Sequence, residues 1–488
     1  MLKFDSPPVR LSKKNLTGLL SRQEILSCQK INFKIFLKNN LFMKNISTII
    51  TVLLIFVSAF TSVAQQNFAY NFEEALERPQ EVEYLFIKGN ETELTEDIIK
   101  LNNLRGLYIL DSDITELPKN ICSLQKLEQL FIINTKIEKL PKKLNNCKAL
   151  QEIHLINLPI KKLPKTFAKM ESLKTLILSN LQYLEISKTI FPTNLETLHL
   201  NSIYINDFPN SVQNLERLKD IHVQHCVMNG FITDFSRLKS LHTITIRYSN
   251  LETFPSNFST ANVKNIAIEY NSITSIPATL LSSNSLENLS LQANLISEII
   301  GEIAPGSTLQ KLNMSNNLLT YLPESFSNLT ALTELNLSTN RLAALPNSFY
   351  RLTSLKNCDV SFNNLQTLGN NFNELKNLEY LKLDHNFLNA EVWNQIVKLK
   401  NLREINLAFN NTGNLPAEIV DLQNLEVLNV DDTGISLLPP ELAQCGKLRT
   451  VRFSNSAHNF KYLNTVKLET IPEVLKNSSA INFFPPLK

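Results

Sequence analysis

The stretch Leu332-Thr333-Glu334-Leu335-Asn336-Leu337-Ser338-Thr339-Asn340-Arg341-Leu342 carries the pattern that decides the fold. Apolar and polar residues alternate from Leu332 to Leu337, as they do in a β-strand with one buried face. Leu332, Leu335 and Leu337 are therefore predicted to point into a core, and the residues between them to face solvent.

The same pattern, Leu-x-x-Leu-x-Leu-x-x-Asn-x-Leu, recurs along the chain in steps of 22, 23 or 24 residues. Stacked units of this kind would place their strands side by side at ~4.8 Å in one parallel sheet. The first apolar residue of the seventeen units stands at Val82, Leu104, Leu127, Leu150, Leu173, Leu195, Leu218, Leu241, Val263, Leu286, Leu309, Leu332, Leu355, Leu378, Leu402, Leu425 and Leu448.

The second half of each unit, such as residues 345–352, reads as a turn leading into a short helical return. Pro346 suits the first position of that return, where its missing N–H would have no partner in any case. A return wider than the strand spacing curves the stack. The fold class predicted is an α/β repeat solenoid, a horseshoe with a parallel β-sheet on the concave face and short helical or 3-10 returns on the convex face.

The Asn position of the pattern divides the array in two. An inward Asn amide can bond backbone groups of its own turn and of the neighbouring turn. Leu158, Leu181 and Ile203 stand at this position in the first half, so a less regular stretch is predicted near residues 150–230. The second half has an unbroken ladder at Asn271, Asn294, Asn317, Asn340, Asn363, Asn386 and Asn410.

The amino terminus resembles a secretory leader. Met43-Lys44-Asn45 precedes a mostly apolar run to Phe60, and the small residues Ser62 and Ala64 follow, which predicts cleavage before Gln65. Residues 1–42 are then an over-extended gene model or a disordered segment, and residues 43–64 form the signal peptide. The alternative is a signal anchor that spans the membrane. Residues 65–81 are predicted to cap the array of 82–456, and residues 457–488 to form a carboxy-terminal cap or tail.

Charge and cysteine content exclude several classes of function. Residues 1–64 hold 9 of the 48 basic and 2 of the 45 acidic residues, so the remaining chain carries a net charge of −4 and gives no electrostatic basis for binding nucleic acid. Five Cys follow residue 64 without a CxxC pair, and are predicted to be small buried hydrophobes. No phosphate-loop, GxSxG or HExxH motif is present, so neither catalysis, a cofactor nor a metal site is predicted.

With these residues in view, the sequence resembles the leucine-rich-repeat family, in its ~23-residue form LPxxIxxLxxLxxLxLxxNxL. Leu322-Pro323 followed by Leu329, Leu332, Leu335, Leu337, Asn340 and Leu342 matches that string almost position for position. The resemblance covers residues 82–456. It implies a solenoid that binds proteins, or glycans in some members, through its concave face, and it implies no shared catalytic residues.

An outward-facing apolar strip in the first half is the predicted contact site. We name it the apolar strip, and it comprises Phe86, Tyr108, Leu110, Phe131, Ile133, His154, Ile156, Ile177, His199 and His222. A contiguous exposed surface of this kind usually marks a binding site. Two alternatives are that the chain itself covers these side chains, or that they form the seam of a homodimer.

The function predicted from the sequence is a non-catalytic module of a secreted or surface protein, resembling bacterial ones, that recognises a protein partner, with glycan as the second class. The alternatives are a self-associating scaffold or adhesin, and a targeting subunit of a separately encoded enzyme. Contact with a membrane is expected only through an uncleaved signal segment.

Overall fold

The structure of the protein is a computed structural model that describes residues 67–205, 208–228, 237–254, 262–369, 371–454, 472–476 and 481–484. The chain divides into two compact units, Met1–Asn67 and Phe68–Lys488. The predicted extension 1–42, the signal peptide 43–64 and its cleavage site lie outside the described residues. None of the helices in the described part of the chain has the length and apolarity that crossing a bilayer requires.

The unit that begins at Phe68 is built on one parallel sheet of 19 strands within the described residues. All strands of this part of the chain belong to it except the two short pairs β8/β10 and β13/β15. In chain order the strands are β1 (Phe68–Ala69), β2 (Tyr84–Gly89), β3 (Gly106–Ser112), β4 (Gln129–Thr135), β5 (Glu152–Ile156), β6 (Thr175–Ser179), β7 (Thr197–Asn201), β8 (Tyr204–Ile205), β9 (Asp220–Gln224), β10 (Val227–Met228), β11 (Thr243–Arg247), β12 (Asn265–Glu269), β13 (Ser275–Pro277), β14 (Asn288–Ser290), β15 (Glu298–Ile300), β16 (Lys311–Asn313), β17 (Glu334–Asn336), β18 (Asn357–Asp359), β19 (Tyr380–Lys382), β20 (Glu404–Asn406), β21 (Val427–Asn429), β22 (Thr450–Arg452) and β23 (Asn482–Phe484).

The returns opposite the strands are short. Prolines stand immediately before several of them; Pro346, for example, has φ −60° and precedes the 3-10 helix Asn347–Arg351. The four α-helices are α1 (Phe72–Glu77), α2 (Ala278–Leu281), α3 (Trp393–Ile396) and α4 (Glu473–Lys476), and the 3-10 helices are Glu96–Lys100, Ile121–Ser123, Leu144–Asn146, Lys165–Lys169, Ile186–Lys188, Asn210–Asn214, Glu324–Asn328, Asn347–Arg351, Phe372–Glu374, Ala390–Val392, Ala417–Asp421 and Pro440–Gln444, all within the described residues. The architecture is the repeat solenoid that the sequence predicts.

The strands follow one another in the order of the repeats. Leu335 of β17 pairs with Leu312 of β16 on one side and with Cys358 of β18 on the other. The first apolar residue of every repeat is buried, from Val82 to Leu448. At the amino end β1 pairs with β2, and at the carboxy end β23 pairs with β22, so the sheet extends beyond the repeats at both ends.

The Asn ladder forms the hydrogen bonds that the sequence leads us to expect. Asn340 is buried, and its Nδ2 donates to the carbonyl oxygens of Leu337 in its own turn, at 2.9 Å, and Met314 in the preceding repeat, at 3.0 Å. Its Oδ1 accepts the Leu319 N–H at 3.0 Å. Asn317 and Asn363 repeat the same set. One side chain therefore satisfies backbone groups of two turns.

The prediction of a less regular stretch near 150–230 is wrong for the described sheet. Strands β5, β6, β7, β9 and β11 pair without a register shift. Leu158, Leu181 and Ile203 are simply buried at the ladder position. Regular pairing does not depend on the ladder residue, because the N–H of the preceding residue bonds the next repeat in both halves: Asn157 donates to the Ser179 carbonyl at 2.9 Å and Asn316 to the Ser338 carbonyl at 2.8 Å.

A second row of side-chain hydrogen bonds links the same turns. The Nδ2 of Asn134 donates to Asp111 at 2.7 Å, that of Asn157 to Asn134 at 2.9 Å, and that of Asn180 to Asn157 at 2.7 Å. These residues have φ between 46° and 54°, a left-handed conformation that Asn and Asp adopt more readily than most residues. The turns of the first half are thus linked without the buried amides.

Two of the cysteines are not the isolated hydrophobes that the sequence predicts. Cys122, in the 3-10 helix Ile121–Ser123, forms a disulfide with Cys147, which follows the equivalent helix Leu144–Asn146, and their Cα atoms are 4.4 Å apart. Stacking brings equivalent positions of adjacent repeats together, although 25 residues separate them in sequence. Cys226, Cys358 and Cys445 are free and buried, and burial raises the pKa of the Cys226 thiol to about 12.

Candidate functional site

The outward side chains of the strands form what we call the sheet face. Register places the predicted strip residues side by side on it: Phe86 pairs with Tyr108, Tyr108 with Phe131, and Phe131 with His154. The row continues through Ile177, His199 and His222. Sequence reasoning therefore identified the neighbours correctly.

The expectation that the whole apolar strip is exposed is wrong. Its rings cover one another: Phe86 stacks on Tyr108 with centroids 4.4 Å apart, and Phe131 on His154 at 3.8 Å. Only Leu110, Ile177, His199 and His222 are partly exposed. At most 8% of the surface is accessible at Phe86, Tyr108, Phe131, Ile133, His154 and Ile156.

Polar groups of these buried residues form a short hydrogen-bonded chain. The Tyr108 hydroxyl donates to Gln129 Oε1, Gln129 Nε2 donates to Glu152 at 3.1 Å, and His154 Nε2 donates to Glu152 at 2.8 Å. Burial raises the pKa of Tyr108 above its usual value. His154 Nδ1 is buried without a hydrogen-bond partner. This end of the sheet face is consequently packed like a core, and the polar groups of Tyr108, Gln129 and Glu152 are directed at one another.

His199 and His222 lie next to each other on the sheet face, with ring centroids 4.2 Å apart. Burial, and then the neighbouring His222, lower the pKa of His199 to about 4, and burial likewise lowers that of His222. Both imidazoles are therefore neutral at pH 7. No group of three or more potential metal ligands occurs among the residues that the structure describes.

The open part of the sheet face is a groove of about 730 Å³ that crosses β11, β12, β14 and β16–β20. We call it the polar groove. Its lining mixes amides, hydroxyls and charges of both signs, among them Asn313, Asn336, Ser290, Lys311, Glu334 and Asp359. The cation of Lys311 and the carboxylate of Glu334 are 2.7 Å apart. The groove can thus offer many hydrogen bonds while remaining close to neutral.

Hydrogen bonds at the ends of the strands fix the orientation of two Asn amides in the polar groove. Asn336 Oδ1 accepts both the N–H of Ser338, at 2.9 Å, and its hydroxyl, at 2.7 Å. Asn313 and Ser315 repeat this arrangement at 3.0 and 2.7 Å. Because the oxygen is engaged, the NH₂ of Asn336 is the group that remains to donate to a ligand.

Two aromatic stacks lie beside the polar groove, and sequence reasoning missed both. His225, Tyr248 and Tyr270 stack at 4.9 and 4.5 Å; Phe362, His385 and Phe409 stack at 3.9 and 4.2 Å. All six have φ between 51° and 57°, a conformation in which bulky side chains are rare. The recurrence of aromatic residues one place before the ladder position was the available signal.

The comparisons agree with this geometry. A family model described as leucine rich repeat matches residues 284–342, and no curated protein matches the chain by sequence. A leucine-rich-repeat protein of Leptospira interrogans has a similar structure, with 24% identity, a TM-score of 0.54, and coverage of 80% of this chain and 94% of that one.

Two solved complexes also contain similar folds. The Toll–Spatzle complex of Drosophila gives 21% identity and a TM-score of 0.59 over 78% of this chain and 56% of that chain. A plant peptide hormone receptor, RGFR1 in complex with RGF2, gives 20% identity and a TM-score of 0.50 over 83% and 70%. The repeated sequence, the parallel sheet and the match of residues 284–342 to the family model together show that the chain has the leucine-rich-repeat fold.

Proposed function

We propose that the protein is a non-catalytic recognition protein that binds a protein partner on its sheet face. The observation that carries this proposal is the polar groove, which is open, has a mixed polar lining and crosses eight adjacent strands. Its strands pair on both sides, so the lining is held in place before a partner arrives. A preorganised surface avoids much of the entropy that ordering on binding would cost.

The similar folds support a protein partner over other ligands. One was solved in the Toll–Spatzle complex and another with the peptide hormone RGF2. The polar groove contains the amides and hydroxyls that pair with a polypeptide backbone, such as Asn336 and Ser290. Leu110, Ile177, His199 and His222 extend the proposed contact surface toward the amino end. We assign a structural role to the six buried residues of the apolar strip, which hold the shape of this contact surface.

We also propose that the protein works outside the cytosol, on the cell surface or secreted. The Cys122–Cys147 disulfide supports this location, because such bonds persist in oxidising compartments and are rare in the cytosol. The signal-like segment 43–64 points the same way.

A photo-cross-linking residue can test the proposed surface. It would be placed at Asn336 in the polar groove or, as a matched control, at the exposed Arg351 in a return. After irradiation in the extracellular fraction of the producing cells, we expect a protease-sensitive adduct at 336 and none at 351. Equal adducts at both positions, or none at 336, would contradict the proposal. An adduct sensitive only to glycosidase would indicate a glycan ligand, and one containing only this chain would indicate a scaffold.

A further inference from the structure

The two aromatic stacks end in rings that face each other across a gap. Tyr248 covers one face of Tyr270, at 4.5 Å and an interplanar angle of 16°, so the other face of Tyr270 is directed at the next repeat. His385 covers one face of Phe362 at 3.9 Å and 12°, which directs the other face of Phe362 back toward the preceding repeat. Both end rings are open to solvent, with 40% of Tyr270 and 48% of Phe362 exposed.

Small residues occupy the equivalent positions between these rings. Backbone hydrogen bonds run stepwise from each of these turns into the next repeat, so the order is Tyr270, Ala293, Asn316, Thr339 and Phe362. Ala293, Asn316 and Thr339 carry no ring, so neither stack continues into the space between the two end rings. Four strand spacings of ~4.8 Å separate the end rings by ~19 Å. We call this space the notch; it borders the polar groove along the ends of the strands.

The backbone conformation indicates that the aromatic residues serve a purpose beyond folding. Tyr270 and Phe362 have φ of 54°, a left-handed conformation that disfavours bulky side chains. Asn occupies the same position at Asn134, Asn157, Asn180 and Asn316, so the fold itself does not need an aromatic ring there. Conformations of this kind, retained against local preference, concentrate at functional sites.

We propose that the notch binds an extended peptide segment of the partner through two apolar side chains four residues apart, one against Tyr270 and one against Phe362. The spacing carries this assignment. Each anchor stacks ~3.5 Å from its ring, on the side that faces the gap, so ~12 Å separates the two anchors. An extended chain advances ~3.3 Å per residue, and four residues therefore match this distance. Side chains alternate along such a chain, and residues i and i+4 therefore project from the same face.

The surface beside the notch suits the peptide backbone between the two anchors. Asn336 presents its NH₂, because its oxygen is bonded to Ser338, and this group can donate to a peptide carbonyl. Rigid aromatic anchors combined with Asn and Ser hydrogen-bonding groups are the composition with which antibody loops recognise polypeptides. The inference rests on the proposed function and specifies the segment of the partner that would be recognised.

Selection from a random peptide library of about twelve residues, displayed on phage, tests this proposal on the purified protein. Peptides enriched on the wild type should share apolar residues at i and i+4. Tyr270→Asn and Phe362→Asn should each weaken binding of an enriched synthetic peptide about tenfold or more, as expected for aromatic anchors. Asn suits this backbone conformation, so both variants should keep the wild-type circular dichroism spectrum and melting temperature.

Two exposed aromatics outside the notch serve as controls. Tyr321→Ala and Phe387→Ala remove rings that are 54% and 64% exposed, and should leave the affinity for the peptide unchanged. The proposal is overturned if no peptide is enriched, if the enriched peptides lack the i, i+4 spacing, or if they bind the Asn variants as well as the wild type. It is also overturned if a glycan array, rather than peptides, gives a signal that the Asn variants lose.

Different experimental outcomes would contradict the peptide site at the notch and the proposed function. A native partner that cross-links at Asn336 yet binds the Asn variants with wild-type affinity would overturn the notch and leave the sheet face as the recognition surface. Absence of any partner adduct at Asn336 would contradict the proposed function, whatever the peptides do.

Discussion

The imidazole of His154 lies flat against the phenyl ring of Phe131, with an interplanar angle of 11°, and both side chains are 2% exposed. Two adjacent strands are joined through this contact, which involves side chains on the face of the sheet opposite the leucine core. Strands β2 to β5 thus have packed side chains on both faces of the sheet.

Phe131→Ala should destabilise the protein by ~3 kcal/mol, since removal of a buried Phe side chain leaves a cavity. The readout is the urea concentration at half-unfolding. Ile177→Ala, on the same row but only partly buried, is the matched control and should lower the midpoint less. An unchanged midpoint for Phe131→Ala would mean that the ring is a surface contact residue after all.

Asn340→Leu should destabilise by roughly 1–3 kcal/mol, because the Leu319 N–H loses its buried acceptor and the carbonyls of Met314 and Leu337 lose their donor. Chemical denaturation measures the loss. Asn364→Leu provides the comparison, because Asn364 is exposed and makes one long bond of 3.4 Å. If both variants unfolded at the same midpoint, the buried ladder would not contribute to stability.

Reduction of Cys122–Cys147 should cost about 3 kcal/mol in the chain-entropy model, given the sequence separation of 25 between the two cysteines. The measurement is thermal unfolding with and without reductant. The variant Cys122→Ala, Cys147→Ala should melt like the reduced protein and show no response to reductant. A reductant effect that persists in this variant would exclude the disulfide as its origin.

The free energy of unfolding should fall as the pH is lowered from about 7 to about 5, because His199 and His222 take up protons more readily in the unfolded chain. The pKa of His199 in the folded protein is about 4 against an ordinary value of 6.5, so the unfolded chain takes up more protons between these limits. The contribution of the pair is complete above pH 6.5 and is lost progressively toward pH 4. The double variant His199→Gln, His222→Gln should show a flatter profile, and an equal slope would refute this origin.

Amino-terminal sequencing of the exported protein should begin at Gln65, since small residues at 62 and 64 fit signal peptidase. Retention of the segment 43–64 in the mature protein would favour the signal anchor instead.

The sequence predicted the architecture because its signal is periodic. Leucines that alternate with polar residues specify a strand, and their recurrence every 22–24 residues specifies a stack, so Leu335 could be placed between Leu312 and Cys358 without coordinates. The inward Asn340 followed from the same register.

The exposure of individual side chains and the disulfide pairing of cysteines were less predictable from the sequence. Register showed that Phe131 points out of the leucine core, but it did not show that neighbouring rings would bury it. The Cys122–Cys147 bond depends on the side-by-side placement of two returns, and returns vary more in sequence than strands do. The aromatic positions of the notch depend on a turn conformation that leucine spacing does not encode.

The covalent bridge between two neighbouring repeats has a consequence for how the molecule unfolds. In a stack where each repeat touches only its neighbours, damage at one end can travel inward one repeat at a time. The bond from Cys122 to Cys147 joins two successive repeats near the amino end, and an unravelling front would have to stop there. When proteases digest the protein, the amino-terminal repeats should therefore be the fragment that survives longest.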